Sequence, residues 1–471
     1  MTIDPTTARS LLDHQRRVHL IGAGGAGMNG IGVVLAEMGH QVTGSDLKES
    51  SGVARLRALG AGVVIGHAAS NVGEVDLVAR STAVPEDNPE VQAASERGLP
   101  VLRRADILAA ICARRPTVAV AGTHGKTTTS SMLSLALVAA GRHPSFLVGG
   151  DLNEIGSGAV WDAQGDLFVV EADESDGTFL ELGAHAVLVT NVEADHLDFY
   201  GSLDALERAF ERFALAAAGP KVICADDPGA HRLALEIPGV ITYGCHPGAD
   251  YRIEDQVLDG YTASFRLVGP VGDLGPCRLP IPGAHNALNA TGAAAMALEL
   301  GADPAAVMAA LGRFAGVARR FEFRGEQGGV VFVDDYAHLP TEVGAAVAAA
   351  RQGDWGRVVA VFQPHRYSRT ADLWMDFGDA FMGADEVVIT DIYPAGEQAR
   401  PGITGELVAR AVLDAHPGSP VTYIPSRDEL RAHLREHLRS GDLCLTLGAG
   451  DLTLLPDELL AAEEPGADGS G

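Results

Sequence analysis

The stretch 118–131 constrains this chain more than any other. A β-branched apolar run at 118–120 enters the turn Gly122-Thr123-His124-Gly125-Lys126-Thr127-Thr128, and the chain leaves it into the apolar helical pattern 132–137. Strand, glycine turn and helix in that order make an anion cradle. Glycines let backbone N–H groups turn inward, and the helix N-terminus adds partial positive charge. Lys126 would reach outer phosphates, and the Thr127 hydroxyl would face a magnesium ion. The spacing departs from the usual phosphate loop, which places a glycine six residues before the lysine; Val120 stands there. The lysine is not drawn from a lysine-rich background, because only three of the 35 basic residues are lysines.

At 471 residues the chain is long enough for about three domains. With 46% hydrophobic and 21% charged residues it reads as an ordinary soluble globular protein, and the alternation of strand and helix patterns along it reads as α/β. A net charge of −27 argues against a nucleic-acid surface, though not against small anions, which a local cradle still binds. Five scattered cysteines lack metal-type spacing and point to a reducing, cytoplasmic setting. No apolar run is long enough to suggest a membrane span.

A first unit opens with a strand at 17–22 feeding a second glycine loop, Gly22-Ala23-Gly24-Gly25-Ala26-Gly27. A helical pattern follows, then a strand ending near Asp46, where a ribose-binding acid would sit. The loop predicts a diphosphate on a helix N-terminus and leaves open whether a nicotinamide is attached. The stretch 113–116 reads as a linker to the second unit.

In that unit the apolar strand 167–170 delivers Glu171, Asp173, Glu174, Ser175 and Asp176 at its C-terminal end, where open α/β sheets bind ligands. A further strand, 186–190, leads to Asn191 and His196. Hard oxygen ligands with one imidazole suit Mg²⁺ or Mn²⁺ better than zinc. Residues 250–280 read as a β excursion, and Asn286 opens an Ala-rich helix, either as part of a cap or facing a base. A third unit holds five expected strands, with Asp335, Tyr336 and His338 after one and Arg366 and Arg369 after another. That arginine pair could grip a carboxylate bidentately.

Together these motifs resemble the Mur ligases. The resemblance rests on Gly122–Thr128, on Glu171 through Asp176, on Asn191 through His196, on His285-Asn286, on Arg319-Arg320-Phe321, and on Asp335-Tyr336-Ala337-His338 with Pro340. It spans residues 17–452 and implies three domains. These are a Rossmann-like UDP-sugar domain (1–113), a central P-loop ATP domain with the β excursion (114–318), and a Rossmann-like amino-acid domain (319–471) whose tail, 456–471, reads as disordered. The 22–28 loop, the stretch from Gln363 to Thr370 and that from Asp391 to Glu397 are similar to members that ligate L-alanine to UDP-N-acetylmuramate. Members that add a whole recycled peptide to the same sugar nucleotide are the alternative.

The resemblance implies an ATP-dependent, ADP-forming amide ligation in cytoplasmic peptidoglycan synthesis by a monomer or weak homodimer. Lys126, Glu171 and His196 would be catalytic, with Thr127, Glu171 and His196 around Mg²⁺. Asn286, Arg320 and Asp335 would join the 122–128 loop in holding ATP. The 22–27 loop, Asp46, Ser81 and Ser175 would hold the UDP-sugar, and Tyr336, His338, Arg366 and Arg369 the amino acid. Two departures stand out. Leu339 occupies a position where a second histidine is common, and the stretch 203–213 lacks the lysine that some Mur ligases carbamylate.

Overall fold

The computed structural model describes residues 10–461, built on three sheets. The described residues divide into two compact units, the first running to 255 and including 265–277 and 288–314, the second made of 256–264, 278–287 and the chain from 315 on.

The first sheet has β1 (Arg17–Ile21), β2 (Gln41–Asp46), β3 (Gly62–Ile65), β4 (Leu77–Arg80) and β5 (Val101–Arg103), all parallel, in the order β3-β2-β1-β4-β5. Chain order reverses beside β1, so its C-terminal end opens on a crevice, and the 22–27 loop lies there.

The second sheet is built from β6 (Thr117–Ala121), β7 (Ser145–Leu152), β8 (Ser157–Val160), β9 (Phe168–Glu171), β10 (Ala186–Val189), β11 (Lys221–Cys224) and β12 (Val240–Gly244). The excursion follows as β13 (Tyr251–Asp259), β14 (Thr262–Gly269) and β15 (Gly272–Leu279). The order is β15-β14-β13-β12-β11-β10-β6-β9-β7-β8. Every residue of β6 is buried, as expected of a parallel strand covered on both faces. Its register with β9 pairs Val120 with Glu171, and with β10 pairs Ala121 with Val189. The 122–128 loop, the acid cluster and the Asn191–His196 stretch therefore leave three adjacent strands at the same end.

Phe179 helps fix the chain after the acids. It packs on Phe210 and Phe213 of the helix Leu203–Ala216, with ring centroids 5.2 and 4.9 Å apart. Burying such a ring contributes about 2–3 kcal/mol. The first two sheets are also tied together within their unit. Arg103 pairs with Glu181 at 2.9 Å, Arg55 pairs with Asp151, and Trp161 N donates to Glu37 at 2.6 Å.

The third sheet contains β16 (Glu322–Gln327), β17 (Val330–Asp335), β18 (Arg357–Phe362), β19 (Glu386–Ile389), β20 (Val421–Tyr423) and β21 (Asp442–Leu447), ordered β16-β17-β21-β18-β19-β20. Five of these were expected. The sixth, β16, is an antiparallel edge strand, half-exposed and bulged between Phe323 and Gly325. Its polar sequence gives no strand signal; pairing with β17 makes it one. The tail expected to be disordered from 456 begins instead as the helix Leu455–Leu460, because Leu455 and Leu459 enter the core under β17 and β18. The remainder of that tail lies outside the described residues. All five cysteines are free, and only Cys245 is exposed. Among the described residues no helix is long and apolar enough to cross a membrane.

Candidate active site

In the first unit the turn after β6 requires its glycines. Gly122 has φ +138°, and a β-carbon there would overlap the Thr190 hydroxyl. Gly125 has φ +76° and would place a β-carbon 2.5 Å from Asn289 Oδ1. The end of β10 clamps the loop. His124 N donates to Asn191 Oδ1 at 2.7 Å, Thr190 Oγ1 donates to His124 O at 2.5 Å, and Glu193 N donates to Thr123 Oγ1 at 2.9 Å.

The helix Lys126–Ala139 leaves this turn with Thr127 and Thr128 buried. Thr127 Oγ1 donates to Glu171 Oε1 at 3.1 Å, and Gly149 N donates to Glu171 Oε2 at 2.7 Å. Lys126 Nζ donates to Gly122 O (2.6 Å), Thr123 O (3.2 Å) and Glu174 Oε1 (2.9 Å). Burial alone would lower this ammonium, but the Glu174, Asp173 and Glu171 carboxylates outweigh it and raise it. Glu174 itself is pushed up to about 7, by burial first and then by Asp173, against the pull of Lys126.

His196 adopts φ +54° and places Nε2 3.1 Å from Asp195 Oδ2. The structure thus joins Thr127 to Glu171, gives Lys126 to the neighbouring Glu174, and pairs His196 with Asp195. Among the described residues no cluster of three or more His, Cys, Asp or Glu side chains forms a protein-only metal centre. A hydroxyl beside a carboxylate, with phosphate oxygens completing the shell, nevertheless fits magnesium, which takes few protein ligands.

The first-sheet loop is built similarly but carries no lysine. Gly22, at φ +78°, and Ala23 both donate N–H bonds to Ser45 O at 2.9 Å, and Gly24 N donates to Asp46 Oδ2 at 2.8 Å. Ser81 packs against Gly22, its Cβ 3.0 Å from where a glycine-to-alanine β-carbon would sit. The helix Ala26–Glu37 starts without a side-chain cap, leaving its first N–H groups for an anion. Ser175 N donates to Asp173 Oδ1 at 3.0 Å, and Asp173 Oδ2 lies 3.6 Å from Arg104 Nη1. Arg104 Nε in turn backs Gly27. Arg104, Glu174 and Asn289 line these two loops without having been singled out as site residues. Arg104 had no local signal, whereas Glu174 stood inside the acid cluster that did.

In the second unit Asp335 ends β17 and accepts N–H bonds from Phe321 and Ala337, both at 2.7 Å. Burial raises its carboxyl to about 6, with Arg320 pulling the other way. Arg319 and Arg320 stand over the Tyr336 ring at 4.8 and 5.1 Å. Asn286 Nδ2 donates to Pro282 O at 2.6 Å.

His338 Nδ1 lies 3.0 Å from Tyr336 O and 3.2 Å from Glu342. Its ring meets His365 edge-on at 5.8 Å, and His365 stacks on Tyr393 at 5.7 Å. Arg369 Nη1 lies 3.2 Å from His365 Nδ1. Burial, then the nearby His338, Arg369 and Arg366, push His365 down to about 3. A neutral ring accepts at Nδ1, so His365 aims Arg369. His365 and Tyr393 lie in the 363–370 and 391–397 motifs, whose sequence alone assigns neither of them a role. Arg366 sits at φ +70° with its Nε buried and without a hydrogen-bond partner. The neutral His365 ring stacked on Tyr393, beside two guanidinium groups, suits a small zwitterion. Leu339, where a second histidine is common in the family, is 4% exposed and belongs to the core.

Three family models match in succession. The Mur ligase catalytic domain matches residues 17–116, the Mur ligase middle domain 120–297, and the Mur ligase glutamate ligase domain 319–450. The UDP-N-acetylmuramate–L-alanine ligase of Rubrobacter xylanophilus is 48% identical over 450 residues, covering 94% of this chain and 99% of that protein. The ligase of the same name from Kineococcus radiotolerans is 49% identical, covering 94% and 95%. Among solved structures, the UDP-N-acetylmuramate–alanine ligase MurC of Thermotoga maritima superposes with a TM-score of 0.80 at 29% identity, covering 95% of this chain and 98% of that one. A murein peptide ligase from Psychrobacter arcticus shares the fold at a TM-score of 0.69 and 23% identity, covering 94% and 98%. The chain belongs to the Mur ligase family.

Proposed function

We propose that this chain ligates L-alanine to the lactyl carboxylate of UDP-N-acetylmuramate, converting ATP to ADP and phosphate in peptidoglycan synthesis. The observation that carries the reading is full-length similarity to relatives of that activity, at 48% identity over 94% of the chain. The paired glycine loops, one with a lysine and acids and one without, agree with a reaction that needs two different nucleotides.

A carboxylate is a poor electrophile because an oxide would have to leave. Its oxygen attacks the terminal phosphorus of ATP, ADP departs, and an acyl phosphate forms. The uncharged amine of alanine then attacks the acyl carbon, and phosphate leaves. The protein's work is positioning and charge neutralisation rather than nucleophilic catalysis. Lys126 neutralises the outer phosphates, and the loop N–H groups and helix N-terminus orient them. Thr127 and Glu171, with His196 nearby on the next strand end, would hold Mg²⁺, for which Mn²⁺ is a hard substitute; when bound it supplies further neutralisation.

Asn286, Arg320 and Asp335 are the further ATP-binding residues in this reading. The 22–27 loop, Asp46, Ser81 and Ser175 take the UDP-sugar. Arg366 and Arg369 take the amino acid's carboxylate, leaving its amine free beside Tyr336 and His338. The corresponding domains are 1–113, 114–318 and 319–471, in a cytoplasmic monomer or weak homodimer.

Phosphate release with UDP-N-acetylmuramate, ATP and either free L-alanine or an L-alanyl-γ-D-glutamyl peptide tests this function. L-alanine is expected to be the strongly preferred acceptor. Clear preference for the peptide would overturn the reading in favour of peptide recycling.

A further inference from the structure

An ammonium group has three N–H donors, and all three of Lys126 are taken: by Gly122 O, Thr123 O and Glu174 Oε1. A lysine so occupied has no donor left for a phosphate. One partner must leave before the loop can grip a nucleotide. The two carbonyls belong to the loop itself, at 2.6 and 3.2 Å, and cannot leave without unmaking it. Glu174 is the partner free to swing.

It is also poorly held. Its side chain is 2% exposed, and Oε2 is buried with no hydrogen-bond partner. Among the described residues its one side-chain hydrogen bond is that from Lys126, whereas Tyr200 Oη donates to its backbone carbonyl at 2.5 Å and fixes the main chain. The backbone is pinned while the carboxylate waits on a single contact.

We propose that Glu174 is the counter-ion of Lys126 in the nucleotide-free enzyme. Its carboxylate stands where a terminal phosphate oxygen binds and is exchanged for it when ATP enters. Glu174 is thus a positioning residue. It keeps the loop closed on itself in the absence of ATP, and it makes ATP compete for the lysine. The inference rests on the reading of the 122–128 loop as the ATP site.

Calorimetric titration with the magnesium complex of a β,γ-imido ATP analogue tests it, on wild type and on Glu174→Gln. The amide keeps the shape but holds the ammonium more weakly. The analogue is expected to bind the variant about three- to tenfold more tightly, the equivalent of one ordinary hydrogen bond. The rise in melting temperature that the analogue confers should be larger for the variant than for wild type. Glu174→Asp, whose carboxylate falls one methylene short of Lys126, should shift affinity in the same direction. Unchanged or weaker binding by these variants would overturn the proposal. So would a loss of melting temperature equal with and without analogue, the mark of a purely structural residue. Failure of wild type itself to bind the analogue would instead remove the ATP reading on which the proposal stands.

Discussion

Glu90 lies beneath the first glycine loop and Glu174 beside the second, and both are buried. Glu90 accepts four hydrogen bonds, from Ser45 Oγ (2.6 Å), His19 Nε2 (3.1 Å), Asn71 Nδ2 (2.6 Å) and Ala68 N (3.1 Å). Burial would raise it, but these donors outweigh burial and bring it to about 2. Glu174 accepts one bond at its carboxylate and is pushed up to about 7. A carboxylate with all its lone pairs engaged is a brace: through Ser45 it carries the strand end that receives Gly22 and Ala23. A carboxylate engaged once, against a lysine that must also serve phosphate, is an exchangeable partner. Two loops of similar build thus differ in what stands behind them, and the difference separates holding a nucleotide from acting on one.

The sharpest break of this comparison is Lys126→Ala. Turnover should fall on the order of a thousandfold or more in a phosphate-release assay, because nothing else in that loop neutralises the terminal phosphates. The matching lesion in the first loop is Gly24→Ala. Its new β-carbon would sit 2.7 Å from Ser50 Oγ and 3.0 Å from Asp46 Oδ2. The KM for UDP-N-acetylmuramate should rise roughly tenfold or more while that for ATP stays put. The third sheet serves as a control for both. Arg366→Ala should raise the KM for alanine about tenfold and leave both nucleotides' KM values alone, the signature of lost ground-state binding; an unchanged alanine KM would move the amino-acid site elsewhere.

The smallest effects are in pH dependence, where the two acids should behave oppositely. Glu90 is depressed, so its stabilisation is present above the unfolded value of 4.5 and is lost as pH falls toward 2. Glu174 is raised, so the folded state holds its proton longer and stability declines as pH climbs from 4.5 to about 7. Chemical denaturation of Glu90→Gln and Glu174→Gln across pH 2–8 should flatten the acid limb in the first and the neutral limb in the second. Flattening of the same limb in both would erase the distinction.

Much of this was legible in the sequence. Glycine loops between apolar runs announce strand–turn–helix because few other residues adopt the required backbone angles. The acids at 171–176 announce a site because a buried strand delivers them. What stayed hidden depends on distant pairing. β7 and β8 are rich in glycine and serine, and β16 is polar; each is a strand because a neighbour supplies hydrogen bonds. Glu174 reads as one acid among several, and only the folding of β9 beside β6 reveals that it, rather than Glu171, takes Lys126. Glu90 looks like an ordinary first-turn helix acid, yet its donors come from three separate stretches of chain. His365 lies inside a recognisable motif, but its neutral state follows from burial first and then from the arginines that the fold gathers around it.

The division of labour between the two loops can be measured directly by titrating Lys126→Ala separately with UDP-N-acetylmuramate and with the magnesium complex of the imido ATP analogue. Wild-type affinity for the sugar nucleotide together with lost affinity for the analogue is the expected result. Loss of both, or retention of the analogue at wild-type affinity, would contradict the assignment of one nucleotide to each loop.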